Sequence, residues 1–181
     1  MKPIYKKVLV WILLILHIML IFSFSLQTAE ESTVISSTLT DKVKTQEMFE
    51  EKIRVQADGG EKLSEKRIEM LAKKEFLKLE GLLRMVAHMT LFFILGLLIN
   101  FLMTAYGMKK IFCVAISPVF AMSVGFFDET IQLFTVGRAG SLSDVFTDFA
   151  GAIIASAFFF AGGKLYEKIK EKRIEMDSYK F

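Results

Sequence analysis

Five ionisable side chains stand within 21 residues of one another: Asp128, Glu129, Arg138, Asp144 and Asp148. Strongly apolar runs flank them on both sides. Carboxylates crowded into such a setting suit acid–base chemistry, because burial and mutual repulsion push their pKa values apart. An arginine among them can fork onto a carboxylate, or onto the phosphate of a lipid headgroup. Asp144 and Asp148 are four apart and share a face of any helix that holds them, so a proton or a cation has to relieve their repulsion. Arg138 is the nearest basic side chain in the loop and the expected partner. Asp128 and Gln132 are also four apart, with Glu129 three before Gln132, so a helix reaching this far presents all three as one polar face.

Each residue also has a blander role. Ser141-Leu142-Ser143-Asp144 reads as the start of a helix, where a carboxylate is favoured by the unpaired N–H groups. His88, four residues after Arg84, suits either a structural hydrogen bond or acid–base work. His17 has no evident partner and reads as an interhelical hydrogen-bonding residue. Gly137, Gly140 and Gly151 suit tight turns and close helix approach. No H-x-x-x-H or C-x-x-C spacing occurs, and no metal or cofactor is assigned.

The elements that position these groups follow from hydropathy. The 181 residues are 53% hydrophobic, with a mean hydropathy of +0.45 and 18 Phe. Four runs suit membrane spans of about 17–25 residues: Val8 to Leu26, Met85 to Ala105, Ile111 to Phe127 and Val145 to Ala161. The last two are short and should recruit flanking residues. Lys2, Lys6 and Lys7 precede the first run as they would in a secretory signal. Its apolar core exceeds the usual ~7–15 residues, and Gln27-Thr28-Ala29 is a poor cleavage site. A retained helix is the expectation. The single Cys113 excludes an intrachain disulfide and reads as a small buried residue, while a net charge of +3, dispersed along the chain, gives no footprint for nucleic acid.

Lysine and arginine gather at the N-terminus, at Lys109 and Lys110, and in the tail from Lys164 to Lys180. The positive-inside rule then predicts an all-α integral membrane bundle of four transmembrane helices, N-in and C-in. Residues 1–26 form the cytoplasmic N-terminus and first span, 27–84 an extracytoplasmic helical insert, 85–163 the remaining spans, and 164–181 a basic cytoplasmic tail. In the insert, Ile35, Leu39, Val43, Phe49 and Ile53 predict an amphipathic helix over 33–56. Asp58-Gly59-Gly60 breaks it, and a second helix from about Leu63 carries Ile68, Leu71 and Leu79 on its apolar face. The insert packs on itself or lies along the headgroups, or it serves as a partner-binding or substrate-capping lid. Under this topology Ser25, Gln27, Arg84, His88, Asp128, Glu129, Gln132, Arg138, Asp144 and Asp148 all reach one layer at the outer boundary. Ionisable groups at such a depth pair, line a polar cavity or serve a function.

At these residues the chain resembles the VanZ-like family of bacterial membrane proteins, named for a teicoplanin-resistance accessory protein. The family's F-S-x-Q is matched by Ser25 and Gln27, and R-K-x-x-H-F-x-E-Y by Arg84 and His88. D-E-x-x-Q with a following Arg is matched by Asp128, Glu129, Gln132 and Arg138, and D-V-x-x-N-x-x-G by Asp144, Val145 and Gly151. The resemblance covers the four spans and not the 33–80 insert. Met85, Leu91 and Asp148 replace the pattern's Lys, Glu and Asn, which suggests a rebalanced charge network. The resemblance implies a multi-pass cell-envelope protein of the bacterial cytoplasmic membrane, sometimes linked to glycopeptide or lipoglycopeptide susceptibility. Three functions stay open: binding an anionic lipid-linked envelope ligand, with membrane lipids as neighbours; an enzyme acting on such a ligand through His88, Glu129 or Asp144; or a scaffold whose charges only fix helix packing.

Overall fold

The computed structural model describes residues 3–27, 42–57, 65–138 and 140–178. Within them the protein is all-helical: α1 (Pro3–Ser25), α2 (Lys42–Ala57), α3 (Glu65–Ala105), α4 (Lys110–Leu133) and α5 (Leu142–Ser178). Pro3 opens α1, where its fixed φ and missing N–H cost nothing. Four helices, α1, α3, α4 and α5, are long and apolar enough to cross a membrane. The short runs at 111–127 and 145–161 do extend: α4 has 24 residues and α5 has 37.

α3 is one unbroken helix of 41 residues, roughly 62 Å at 1.5 Å per residue, which is twice a hydrocarbon core of about 30 Å. Its first half therefore projects from the bundle, and α2 packs against α3. On the projecting half Ile68, Ala72 and Phe76 are buried. That corrects the expected stripe, since Leu71 is exposed and Leu79 only half-buried. The buried face repeats every four residues through a small alanine, which lets a neighbour approach closely. On α2, Phe49 and Ile53 are half-buried, whereas Ile35, Leu39, the Asp58-Gly59-Gly60 break and Leu63 lie outside the described residues.

The bundle core forms around α3. Phe92, Leu95, Ile99 and Leu102 meet Leu14 and Ile21 of α1, Ala121 of α4 and Ala152 of α5. Outward, Val119, Phe120, Phe126 and Phe127 of α4 and Ile153, Ile154 and Phe158 of α5 are exposed. An apolar girdle this broad fits lipid, not water. The Phe158–Phe160 run is partly tied down, with Phe158 edge-on to Phe93 and Phe159 to Phe101. Inside the girdle a buried polar node joins three helices: Asn100 Nδ2 donates to Gly96 O and Ser156 Oγ, and Ser117 Oγ donates to the same Gly96 carbonyl. His17 Nε2 donates to Leu91 O at 2.9 Å, the interhelical role expected of it. Cys113 is buried, as expected.

α3 and α5 approach through small residues. A Cβ on Gly151 would fall 2.5 Å from Met89 O, and one on Gly96 would fall 2.9 Å from Ala155 Cβ. Gly162, on the same helix as Gly151, has nothing within 4 Å. Gly151→Ala should therefore force the helices apart and cost ~1–3 kcal/mol, while Gly162→Ala should be neutral or slightly stabilising. Thermal unfolding of the two variants in detergent measures the contrast, and equal behaviour would refute the close-approach account.

Candidate functional site

Contacts between helices fix which residues share an end of the bundle. At one end lie Ser25, closing α1; Arg84 and His88, midway along α3; Asp128, Glu129 and Gln132, closing α4; and Asp144 and Asp148, opening α5. At the other, Trp11 Nε1 donates to Tyr106 Oη, Lys7 sits over the Tyr106 ring, and Lys110 pairs with Glu167. The two ends therefore differ sharply in charge.

Because α3 and α5 both run away from the polar end, their residues meet in parallel register. Arg84 reaches Asp144 at 2.8 Å, and one helical turn deeper His88 Nδ1 meets Asp148 Oδ1 at 3.2 Å. The outer rung is half in solvent, with the Arg84 side chain 55% exposed; the inner one is sealed, with Asp148 at 0%. These rungs correct one expectation. Arg138 makes neither ion pair among the described residues, because the offset of 60 between the helices brings Arg84 and His88 onto the two aspartates first.

α4 delivers the second half of the cluster. It stays helical through Gln132, so Asp128, Glu129 and Gln132 are all buried on its inner face. Gln132 Nε2 donates to Asp128 Oδ2 at 3.1 Å and to Glu129 Oε1 at 3.0 Å. Ser25 Oγ donates to Asp128 Oδ1, and the Ser141 N–H to Glu129 Oε2 at 2.7 Å. Thr135 Oγ1 donates to Ser25 O at 3.1 Å, a tie between α1 and the loop that no charge or apolar period announces. Gln27 is half-buried and makes no side-chain hydrogen bond among the described residues. α5 opens at Leu142 with the Ser141 carbonyl accepting the Asp144 N–H at 3.0 Å, so Asp144 does occupy the first turn.

The loop between α4 and α5 turns through Gly137, whose φ of 76° lies in the left-handed region. The next residue, Arg138, is half-buried. Burial and the neighbouring Arg84 charge lower its pKa from the ordinary guanidinium value, and Asp128 and Glu129 oppose that shift. A guanidinium does not deprotonate in proteins, so Arg138 is a cation held beside an acidic cluster.

Four of these groups converge. His88, Asp128, Glu129 and Asp148 each offer an atom lying within 4.8 Å of the others, a set that could hold a metal ion. Spacing along the sequence could not reveal it, because the groups come from three helices. Gly125 leaves room for this convergence: a Cβ there would fall 2.9 Å from Asp148 Oδ2 and 3.4 Å from the Phe92 ring. A surface concavity of the described residues lies elsewhere, on the projecting half of α3 beside Arg67, Leu71 and Lys74.

The sequence model of the VanZ/LLP1 family matches residues 10–163. The chain belongs to the VanZ/LLP1 family. No curated protein and no solved structure matches it. The VanZ/LLP1 match runs across the insert, which the motif resemblance had left out, and it contains every residue of the polar cluster. This VanZ-like chain is thus a multi-pass membrane protein by family and by its four apolar helices.

The two rungs should differ in energy. Asp144→Asn removes a half-solvated pair and should cost about 1 kcal/mol. His88→Ala leaves Asp148 without its hydrogen-bond partner in the sealed interior and should cost ~3–5 kcal/mol. Thermal unfolding of both variants in the same detergent decides; equal losses would mean the inner rung is not sealed.

Proposed function

We propose that this VanZ-like protein binds a phosphate-bearing, lipid-linked envelope ligand at the polar end of the bundle. The observation that carries the reading is Arg138. It is a half-buried guanidinium beside Asp128 and Glu129, with no ion pair among the described residues. The cost of holding it there is offset when an anion arrives, and its planar fork suits a phosphate in bidentate fashion. Arg84 widens the cationic rim while Asp144 holds its side chain in place.

The proposed orientation is N-in and C-in. Its support is the gathering of Lys6, Lys7, Lys109, Lys110, Lys164 and Lys168 at the end opposite the polar cluster. The cluster then faces the outer side of the cytoplasmic membrane, where lipid-linked envelope intermediates reside. α2 and the projecting half of α3 stand over the same side, placed to cap the ligand or dock a protein partner. Capture of such a ligand is the route by which the protein would alter glycopeptide and lipoglycopeptide susceptibility.

A second reading, catalysis on the same ligand, is favoured by the His88–Asp148 hydrogen bond. An imidazole oriented by a buried carboxylate, next to Asp128 and Glu129, is equipped for proton transfer. Both readings are tested with the full chain in detergent, using a polyprenyl phosphate as probe and the uncharged polyprenol as control. Wild type should prefer the phosphate, and Arg138→Ala should bind it at least about tenfold more weakly, as expected for loss of charged hydrogen bonds, with its unfolding midpoint little changed. Release of inorganic phosphate, abolished by Asp148→Asn, would establish the enzyme. Equal binding of the two lipids would sink the ligand reading and leave the charges as a packing device.

A further inference from the structure

We infer that His88, Asp128, Glu129 and Asp148 form a binding site for a divalent transition cation of the Mn²⁺ or Zn²⁺ class. The inference rests on the reading of this end as a ligand site and adds a metal to it. Three carboxylates and one imidazole, drawn from α3, α4 and α5, place their ligand atoms within 4.8 Å of one another. Bond lengths of about 2.0–2.2 Å set ligand atoms roughly 4.4 Å apart when they face each other across an ion and about 3–3.5 Å apart otherwise, so the side chains close in by up to about an ångström on binding.

An independent observation points to a ligand here. Asp148 is fully buried, yet its Oδ2 has no hydrogen-bond partner among the described residues. A buried carboxylate oxygen is costly to leave unpaired. Every other carboxylate oxygen of the cluster has a donor. Asp128 receives Ser25 and Gln132, and Glu129 receives Gln132 and the Ser141 N–H. Those donors come from neutral groups, as outer-shell partners of metal ligands often do, and each oxygen keeps a lone pair.

Charge balance points the same way. Within the four groups only His88 can carry a proton's charge against three carboxylates. Arg84 is engaged by Asp144, and Arg138 acts on Asp128 and Glu129 without an ion pair to either among the described residues. A divalent ion with a neutral imidazole as ligand would leave one negative charge of the three carboxylates over, which the neighbouring Arg138 balances. Ligand softness narrows the class: oxygen donors alone would suit Mg²⁺ or Ca²⁺, while the imidazole favours a first-row transition ion. Such an ion would lie beside Arg138, where the two could share one phosphate.

The test uses the full chain in detergent, stripped with a chelator and given Mn²⁺ in the absence of any phosphate lipid. One bound Mn²⁺ per chain is expected by loss of the free-ion paramagnetic signal, with a raised unfolding midpoint and displacement by Zn²⁺. Asp148→Asn and Glu129→Gln should each weaken binding at least tenfold, while Glu167→Gln, at the far end of the bundle, should not. If Asp148→Asn fails to fold, Glu129→Gln alone carries the comparison. Folded wild type that takes up neither Mn²⁺ nor Zn²⁺ at millimolar concentration overturns the inference and leaves protons as the neutralising charge. Mn²⁺ uptake without polyprenyl phosphate binding would instead sustain the metal site and defeat the lipid reading.

Discussion

The polar end of this bundle depends on one contact, the hydrogen bond between His88 on α3 and Asp148 on α5. It lies a full turn below the half-solvated Arg84–Asp144 pair, at a depth where an unpaired carboxylate is expensive. Holding it requires α3 and α5 to keep a fixed register, and that in turn requires the close approach at Gly151 and Gly96. The small-residue seam and the charged rungs are therefore one device. Lipid supplies no hydrophobic push between helices, so close packing and interhelical hydrogen bonds must do the holding.

α4 and α1 complete the cluster by a different route. Asp128, Glu129 and Gln132 close among themselves within two helical turns, so α4 carries a preassembled polar face. Ser25 and Thr135 then fasten α1 to that face and to the loop after it. Gly137 turns the chain so that Arg138 follows directly. The result is graded: neutral donors and carboxylates sealed below, guanidinium groups at the rim. Such a gradient suits an anionic headgroup entering from the interface and meeting cations first.

Much of this was legible in the sequence because charge in an apolar run is conspicuous. Uncharged stretches marked the four helices, and the interruptions marked Asp128, Glu129, Asp144 and Asp148. What local spacing could not encode was register between helices 60 residues apart. Arg138 was the nearest base to Asp144 along the chain, yet Arg84 reaches it in space. Neutral polar residues were equally silent. Asn100, Ser117 and Ser156 form a buried node across α3, α4 and α5, but none of them breaks a hydropathy run. On the projecting half of α3 the buried stripe is hard to read from hydropathy, because the fully buried Ala72 adds little to an apolar pattern.

The departures from the VanZ-like pattern make sense once the helices are assembled. The pattern's acid on α3 is replaced by Leu91, whose side chain packs against the bundle core and whose carbonyl receives His17. An acid appears instead at Asp148, where the pattern has Asn. Carboxylate is thus moved off α3 and onto the α5 position that touches His88. An Asn there would give the imidazole a neutral partner, whereas Asp gives it a charged one and brings a third carboxylate to Asp128 and Glu129. The pattern's Lys is replaced by Met85, which is 42% exposed, so its loss strands no buried group. Of the three changes only Asp148 adds negative charge at the buried point beside His88; Leu91 takes an acid off α3, and Met85 takes a base off its exposed face.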